Sequence, residues 1–216
     1  MSAESEVVTR AHLDYLAART VREDAFLAEL KRTARDEGIP AIQIAPEQAS
    51  FMQILLRLAG AKDVVEVGTL AGYSAIWMAR ALPEGGRVRT IELFDKHADF
   101  AERWIAKSDV KAKVEVHRGP GADVLRTFAD GSADAAFLDA DKTGYPVYLR
   151  EVLRILRPRG LVMVDNAFAF GQLFDERPKD REAPAVKAFN EEMAREPRLQ
   201  SIIVPLGDGL WVGVKI

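Results

Sequence analysis

The architecture turns on the run Val64-Val65-Glu66-Val67-Gly68-Thr69-Leu70-Ala71-Gly72-Tyr73-Ser74. Its β-branched start is too short for a helix and reads as a strand over 64–68. Two glycines then open a loop, and Tyr73-Ser74 begins a helical pattern over 73–82. Moving outward, the same alternation repeats. Strands are expected at 87–93, 114–117, 135–139 and 161–165, with helices at 96–107, 122–128 and 147–156, the last stopped by Pro158 and Gly160. Strands alternating with helices imply right-handed crossovers and a parallel sheet covered on both faces. Upstream, residues 11–37 carry a helical pattern that ends at Gly38 and Pro40, and a second helix opens at Pro46 and runs to Gly60. Downstream, 201–206 and 210–216 flank Gly207-Asp208-Gly209, which is hairpin turn chemistry. The expectation is one α/β domain over 1–216, with 1–45 a helical extension. Its sheet is doubly wound, Rossmann-like, seven-stranded and mainly parallel, with a C-terminal antiparallel hairpin. The polar segment GQLFDERPKDREAP at 171–184 is either a substrate-facing loop or a solvated connection.

Composition narrows the classes. The chain has 216 residues, 48% apolar and 29% charged, and no cysteine. Disulfides, thiolate metal sites and a cysteine nucleophile are thereby excluded. A net charge of −3 gives no basic footprint for nucleic acid. The first ten residues hold no apolar run, and no stretch approaches the roughly 18 apolar residues that span a bilayer. A soluble, cytoplasmic protein is expected, with neither nucleic-acid nor membrane partners.

In such a sheet, ligands bind beyond the carboxyl ends of the strands. Gly68 and Gly72 let backbone approach a ligand, but Leu70 and Tyr73 stand where the dinucleotide fingerprint needs small residues, which disfavours a nicotinamide cofactor. Glu92 closes the second strand about 20 residues beyond that loop, the usual distance for an acid that accepts ribose hydroxyls. Strand four ends Leu138-Asp139-Ala140-Asp141-Lys142, and strand five ends Val164-Asp165-Asn166. Asp139, Asp165 and Asn166 form an oxygen donor set suited to a hard divalent ion such as Mg²⁺, with Ca²⁺ or Mn²⁺ as alternatives. The bland readings are a helix cap at Asp139 or Asp141, a turn at Asp165-Asn166, and Lys142 as a surface lysine.

These motifs, EVGTLAGYS, Glu92, FLDADK with Tyr145, and VMVDN, resemble those of the cation-dependent O-methyltransferases of the catechol and caffeoyl-CoA type. The resemblance runs from Pro46 to the C-terminal hairpin and implies the class I methyltransferase fold with S-adenosylmethionine (SAM) as cofactor. It implies Glu66 and the Gly68-Thr69 backbone at the methionine end of SAM, and Ser74 on its carboxylate. It puts Glu92 on the ribose and Gly121 near the adenine, where the family usually has alanine. Ile44 and Asp141 complete the cofactor set. Asp139, Asp165 and Asn166 become the metal ligands, with Asp139 also near the sulfonium, and Lys142 the general base. A chelated aromatic diol would lose a proton to Lys142 and attack the methyl group. Where many relatives place a tryptophan after DN, this chain has Ala167-Phe168-Ala169-Phe170, so the aromatic wall is built differently. The resemblance further implies a homodimer, to which the hairpin with Trp211 could contribute. A metal-independent methyltransferase of the same fold and a non-catalytic adenosine-ligand binding protein are the alternatives.

Overall fold

The computed structural model describes residues 8–216. The readings that concern residues 1–7 lie outside it. Seven strands form one sheet: β1 (Asp63–Val67), β2 (Arg87–Glu92), β3 (Val114–Arg118), β4 (Ala133–Leu138), β5 (Leu156–Val164), β6 (Leu199–Val204) and β7 (Leu210–Lys215). Their order is β3-β2-β1-β4-β5-β7-β6. The first five are parallel, and β7 joins β5 and β6 antiparallel. The chain winds outward from β1 through β2 to β3, then crosses back to β4 on the other side of β1. That reversal opens a crevice above β1 and β4.

Period-two alternation loads both faces of the sheet. Val64, Phe137 and Met163 point into one core with Met52, Ile76 and Phe100, while Val65, Leu138, Val162 and Val164 point into the other. The first core is roofed by α2 (Ala25–Asp36), α3 (Pro46–Leu58), α4 (Tyr73–Ala81) and α5 (Asp95–Ile105); the second by α6 (Gly121–Thr127), α7 (Tyr145–Ile155) and α8 (Ala183–Arg195). No described helix is long and apolar enough to cross a membrane.

Three expectations need correction. The helical pattern over 11–37 is two helices, α1 (Arg10–Ala17) and α2, because the Asp24 carboxylate accepts from Leu27 N at 2.9 Å and caps a fresh start. The polar 171–184 segment runs directly into α8, an amphipathic helix that buries Val186, Phe189 and Met193. Trp211 is only 6% exposed and donates its indole N–H to Asn190, so it is spent inside the chain; Ile202 and Val214 are the exposed apolar residues of the hairpin.

Candidate active site

Register brings the strand ends together. Val67 pairs with Leu138, and Leu138 with Val164, so Gly68, Asp139 and Asp165 emerge side by side. Asp139 N donates to Val67 O at 2.9 Å, and Asp165 N to Leu138 O at 3.0 Å, continuing the ladder one step beyond the strands. A Cβ on Gly68 would lie 2.0 Å from the Asp139 carbonyl, at a φ of +105°. Only glycine fits there. Above this edge lies a cavity of about 700 Å³, within the usual range for small-molecule sites.

One half of the cavity is built by β1, β2 and the loop into α4. Glu92 is buried and rigid: its two oxygens accept from Leu70 N at 2.8 Å and Phe94 N at 2.9 Å, and His97 Nδ1 stands 3.5 Å away. Those bonds hold Leu70 in a left-handed conformation, φ +48°. Ile44, Gly68, Thr69, Ser74, Glu92 and Gly121 all border the space. Glu66 does not. It lies fully buried behind the wall, accepting from the hydroxyls of Ser74 and Thr90. Burial pushes its carboxyl up to about 8, only partly offset by those two hydrogen bonds. The Ser74 hydroxyl is thus turned toward Glu66 here.

The other half carries the acids and Lys142. A 3-10 turn, Lys142–Gly144, folds Lys142 back under the edge, where it is 4% exposed. Its Nζ donates to Asp139 Oδ1 at 3.2 Å and to the Tyr145 hydroxyl at 2.7 Å. The reading as a surface lysine is therefore wrong. Neither Asp139 nor Asp141 caps a helix through its side chain; Asp141 instead accepts from Tyr148 at 2.6 Å and from Thr143 at 3.2 Å. Asn166 does open a turn, bonded through its carbonyl to Ala169 N at 2.9 Å. Asp139, Asp141, Lys142, Asp165 and Asn166 all border the cavity.

Asp165 is the unsatisfied member. It is buried, and its Oδ1 finds no hydrogen-bond partner. Burial first, then the neighbouring charge of Asp139, pushes its carboxyl up to about 7. The nearby Gln48 amide opposes that shift, although its Nε2 completes no hydrogen bond of ordinary geometry. An orphaned carboxylate oxygen beside a second acid and an amide is the arrangement a hard cation would relieve. Among the described residues, no three His, Asp or Glu side chains gather as a metal cluster.

Sequence reasoning missed Gln48, His97, Glu182 and Asp208. Glu182, from the charged segment, accepts from Lys142 N at 2.9 Å and borders the cavity. Asp208 accepts from Asn166 Nδ2 at 3.2 Å. Gln48 left no trace in any motif, Glu182 sat in a charge run, and Asp208 was legible only as turn chemistry.

Comparison with known proteins bears on this site. A sequence model described as O-methyltransferase matches residues 17–216. A catechol O-methyltransferase from Niastella koreensis is 37% identical, over 89% of this chain and 86% of the relative. The O-methyltransferase of Bacillus cereus, solved in complex with SAH, is 32% identical with a TM-score of 0.84, over 95% of this chain and 97% of that one. TomG of Streptomyces achromogenes, an O-methyltransferase of tomaymycin synthesis solved with SAM, is 31% identical with a TM-score of 0.82, over 95% and 96%. A parallel sheet with a reversed hairpin, a ligand-sized crevice at its switch point and a family match across nine-tenths of the chain agree: this protein belongs to the O-methyltransferase family, an enzyme class whose solved members here carry SAM or SAH.

Proposed function

We propose that the protein transfers a methyl group from S-adenosylmethionine to one hydroxyl of a vicinal aromatic diol held against a divalent cation. The carrying observation is Asp165 Oδ1, buried and without a partner beside Asp139, with the Lys142 amine bonded to that same Asp139. The name of the Niastella koreensis relative supports the diol.

When bound, S-adenosylmethionine supplies the methyl group on a sulfonium, an electrophile that needs no activation by the protein. Asp139, Asp165 and Asn166 would hold the cation, Mg²⁺ by donor type, whose charge would draw a phenol's pKa down from about 10. The chain does the rest. Glu92, locked by the Leu70 and Phe94 amides, keeps lone pairs for the ribose hydroxyls. Gly121 and Ile44 line the cavity where they would meet the adenine and the cofactor's apolar surface, and Asp141, fixed by the Tyr148 hydroxyl, would meet the cofactor as well. Ser74 and the Gly68-Thr69 backbone would face the methionine end, with Glu66 behind the wall holding the Ser74 hydroxyl. Lys142 accepts the hydroxyl proton at Nζ, and Asp139 and Tyr145 fix where that atom sits. The phenolate oxygen then bonds to the methyl carbon as the carbon–sulfur bond breaks. Positioning and fixed charge supply the acceleration. A homodimer is part of the same proposal, by likeness to the family.

A catechol methylation assay with and without EDTA tests the reading. Activity should vanish in chelator and return with Mg²⁺. Asp165→Ala should lose metal-dependent turnover while binding SAM within a few-fold of the parent. A second reading, methyl transfer without metal, is favoured by the Lys142–Asp139 pair being satisfied on its own. Full activity in EDTA would establish it and end the first.

A further inference from the structure

The Gly207-Asp208-Gly209 turn closes the hairpin, and its central side chain makes three hydrogen bonds across to the loop after β5. Asp208 Oδ2 accepts from Asn166 Nδ2 at 3.2 Å and Phe170 N at 2.6 Å, and Oδ1 accepts from Gly171 N at 3.0 Å. Its carbonyl accepts from Phe168 N at 2.8 Å, and that of Gly209 from Ala167 N at 2.8 Å. The loop so gripped is strained: Asn166, Ala169 and Phe170 have φ of +63°, +54° and +61°, a region that non-glycine residues avoid. Strain of this kind persists only where surrounding contacts over-determine the backbone, and here three of those contacts meet one carboxylate while two more reach the carbonyls of Asp208 and Gly209. The packing also requires the turn's glycines, since a Cβ on Gly209 would lie 2.8 Å from the Phe168 ring.

We propose that Asp208 is a positioning residue that sets the orientation of the Asn166 amide. A side-chain amide has one donating and one accepting end. With the nitrogen committed to Asp208, the carbonyl end is left for the cavity that Asn166 borders beside Asp139 and Asp165. An oxygen donor is what a hard cation requires, whereas an inverted amide would turn N–H groups toward it. Asp208 thus does for the amide what hydrogen-bond partners do for metal-binding side chains generally, which is to fix the ligating atom. The inference rests on the proposed cation site.

The test is Mn²⁺ binding by electron paramagnetic resonance on the full chain, with SAM affinity by calorimetry measured in parallel. Asp208→Asn leaves one acceptor oxygen for three donors, Asn166 Nδ2 among them, so the Asn166 amide loses the charged partner that fixes it. The substitution should weaken Mn²⁺ binding tenfold or more, with SAM affinity within about twofold. The exchanged pair Asn166→Asp with Asp208→Asn restores a donor facing an acceptor, and should recover most of the lost affinity. If Asp208→Asn binds Mn²⁺ like the parent, the inference falls and the cation site stands. If affinity drops and the exchanged pair does not recover it, the loss belongs to the loop, and amide orientation is excluded. A parent protein that does not bind Mn²⁺ overturns the proposed cation site and this inference with it.

Discussion

Lys142 and Glu66 illustrate what single residues can and cannot announce. The spacing of Asp139 and Lys142 was visible in the sequence, but a lysine three positions past an acid is as easily a surface residue. Its role is decided by burial, which follows from the tight turn at Gly144, where any Cβ would lie 2.6 Å from the Tyr148 hydroxyl. Glu66 was read as a cofactor contact, yet it sits behind the cavity wall with a carboxyl raised from 4.5 to about 8. The consequence for stability has a definite sign. Its folded pKa exceeds its unfolded one, so the folded state holds a proton that the unfolded state releases. Stability from this group is therefore full below about pH 4.5, declines as pH rises, and is fully lost above about 8. The shift corresponds to a loss on the order of 5 kcal/mol. Glu66→Gln should flatten this dependence, raising the midpoint of thermal unfolding above the parent's at pH 8.5 and leaving the two similar at pH 4.5. Parallel pH profiles for the two proteins would mean that Glu66 ionises as freely when folded as when unfolded.

At the level of elements, the alternation of strand and helix was legible because parallel strands are buried on both faces and read as short apolar runs. The five parallel strands followed from that signal, and the closing hairpin from its Gly207-Asp208-Gly209 turn. The failures have local causes. The break between α1 and α2 depends on one capping acid, Asp24, within a stretch whose apolar spacing looks continuous. Helix α8 shows its apolar face only every third or fourth residue, amid charges that resemble a solvated loop, and its partner Tyr145 is distant in sequence. The oxygen donors were found for the opposite reason: each ends a strand, so counting strand ends located them. The supports from Gln48, Glu182 and Asp208 come from elements that meet only in three dimensions. Gly68 lies where two elements touch, and there a sharp outcome is expected. Gly68→Ala would drive a methyl group into the Asp139 carbonyl at an unfavourable φ, and separating β1 from β4 is the only relief. The cost should be on the order of 3 kcal/mol in urea unfolding, with SAM binding lost as well. A variant as stable as the parent would show that the two strand ends are not in contact.

Across the whole molecule, the reversal of winding at β1 and β4 determines that cofactor-side and acid-side residues share one crevice, since β2 brings Glu92 from one direction and β5 brings Asp165 from the other. The two halves are electrostatically unlike. Buried carboxyl groups without sufficient counter-charge, Glu66 behind the wall and Asp165 at the strand edge, both have their pKa raised by burial. A cation that binds the folded state alone should stabilise the whole chain by mass action, about 2.7 kcal/mol at a hundredfold excess over Kd. At the proposed site it would meet an ionised Asp165, whose carboxyl lies at about 7 before binding, so below that pH each cation would displace a proton. Mg²⁺ affinity should consequently fall up to tenfold per pH unit below 7 and level off above 8. The stabilisation measured by thermal shift at fixed Mg²⁺ should follow the same curve. Asp165→Asn removes both the proton and the charge, so its residual Mg²⁺ response should be small and flat in pH. Equal Mg²⁺ affinity at pH 6 and pH 8 in the parent chain would separate cation binding from Asp165 and remove the proposed link between the unpartnered carboxylate and the reaction.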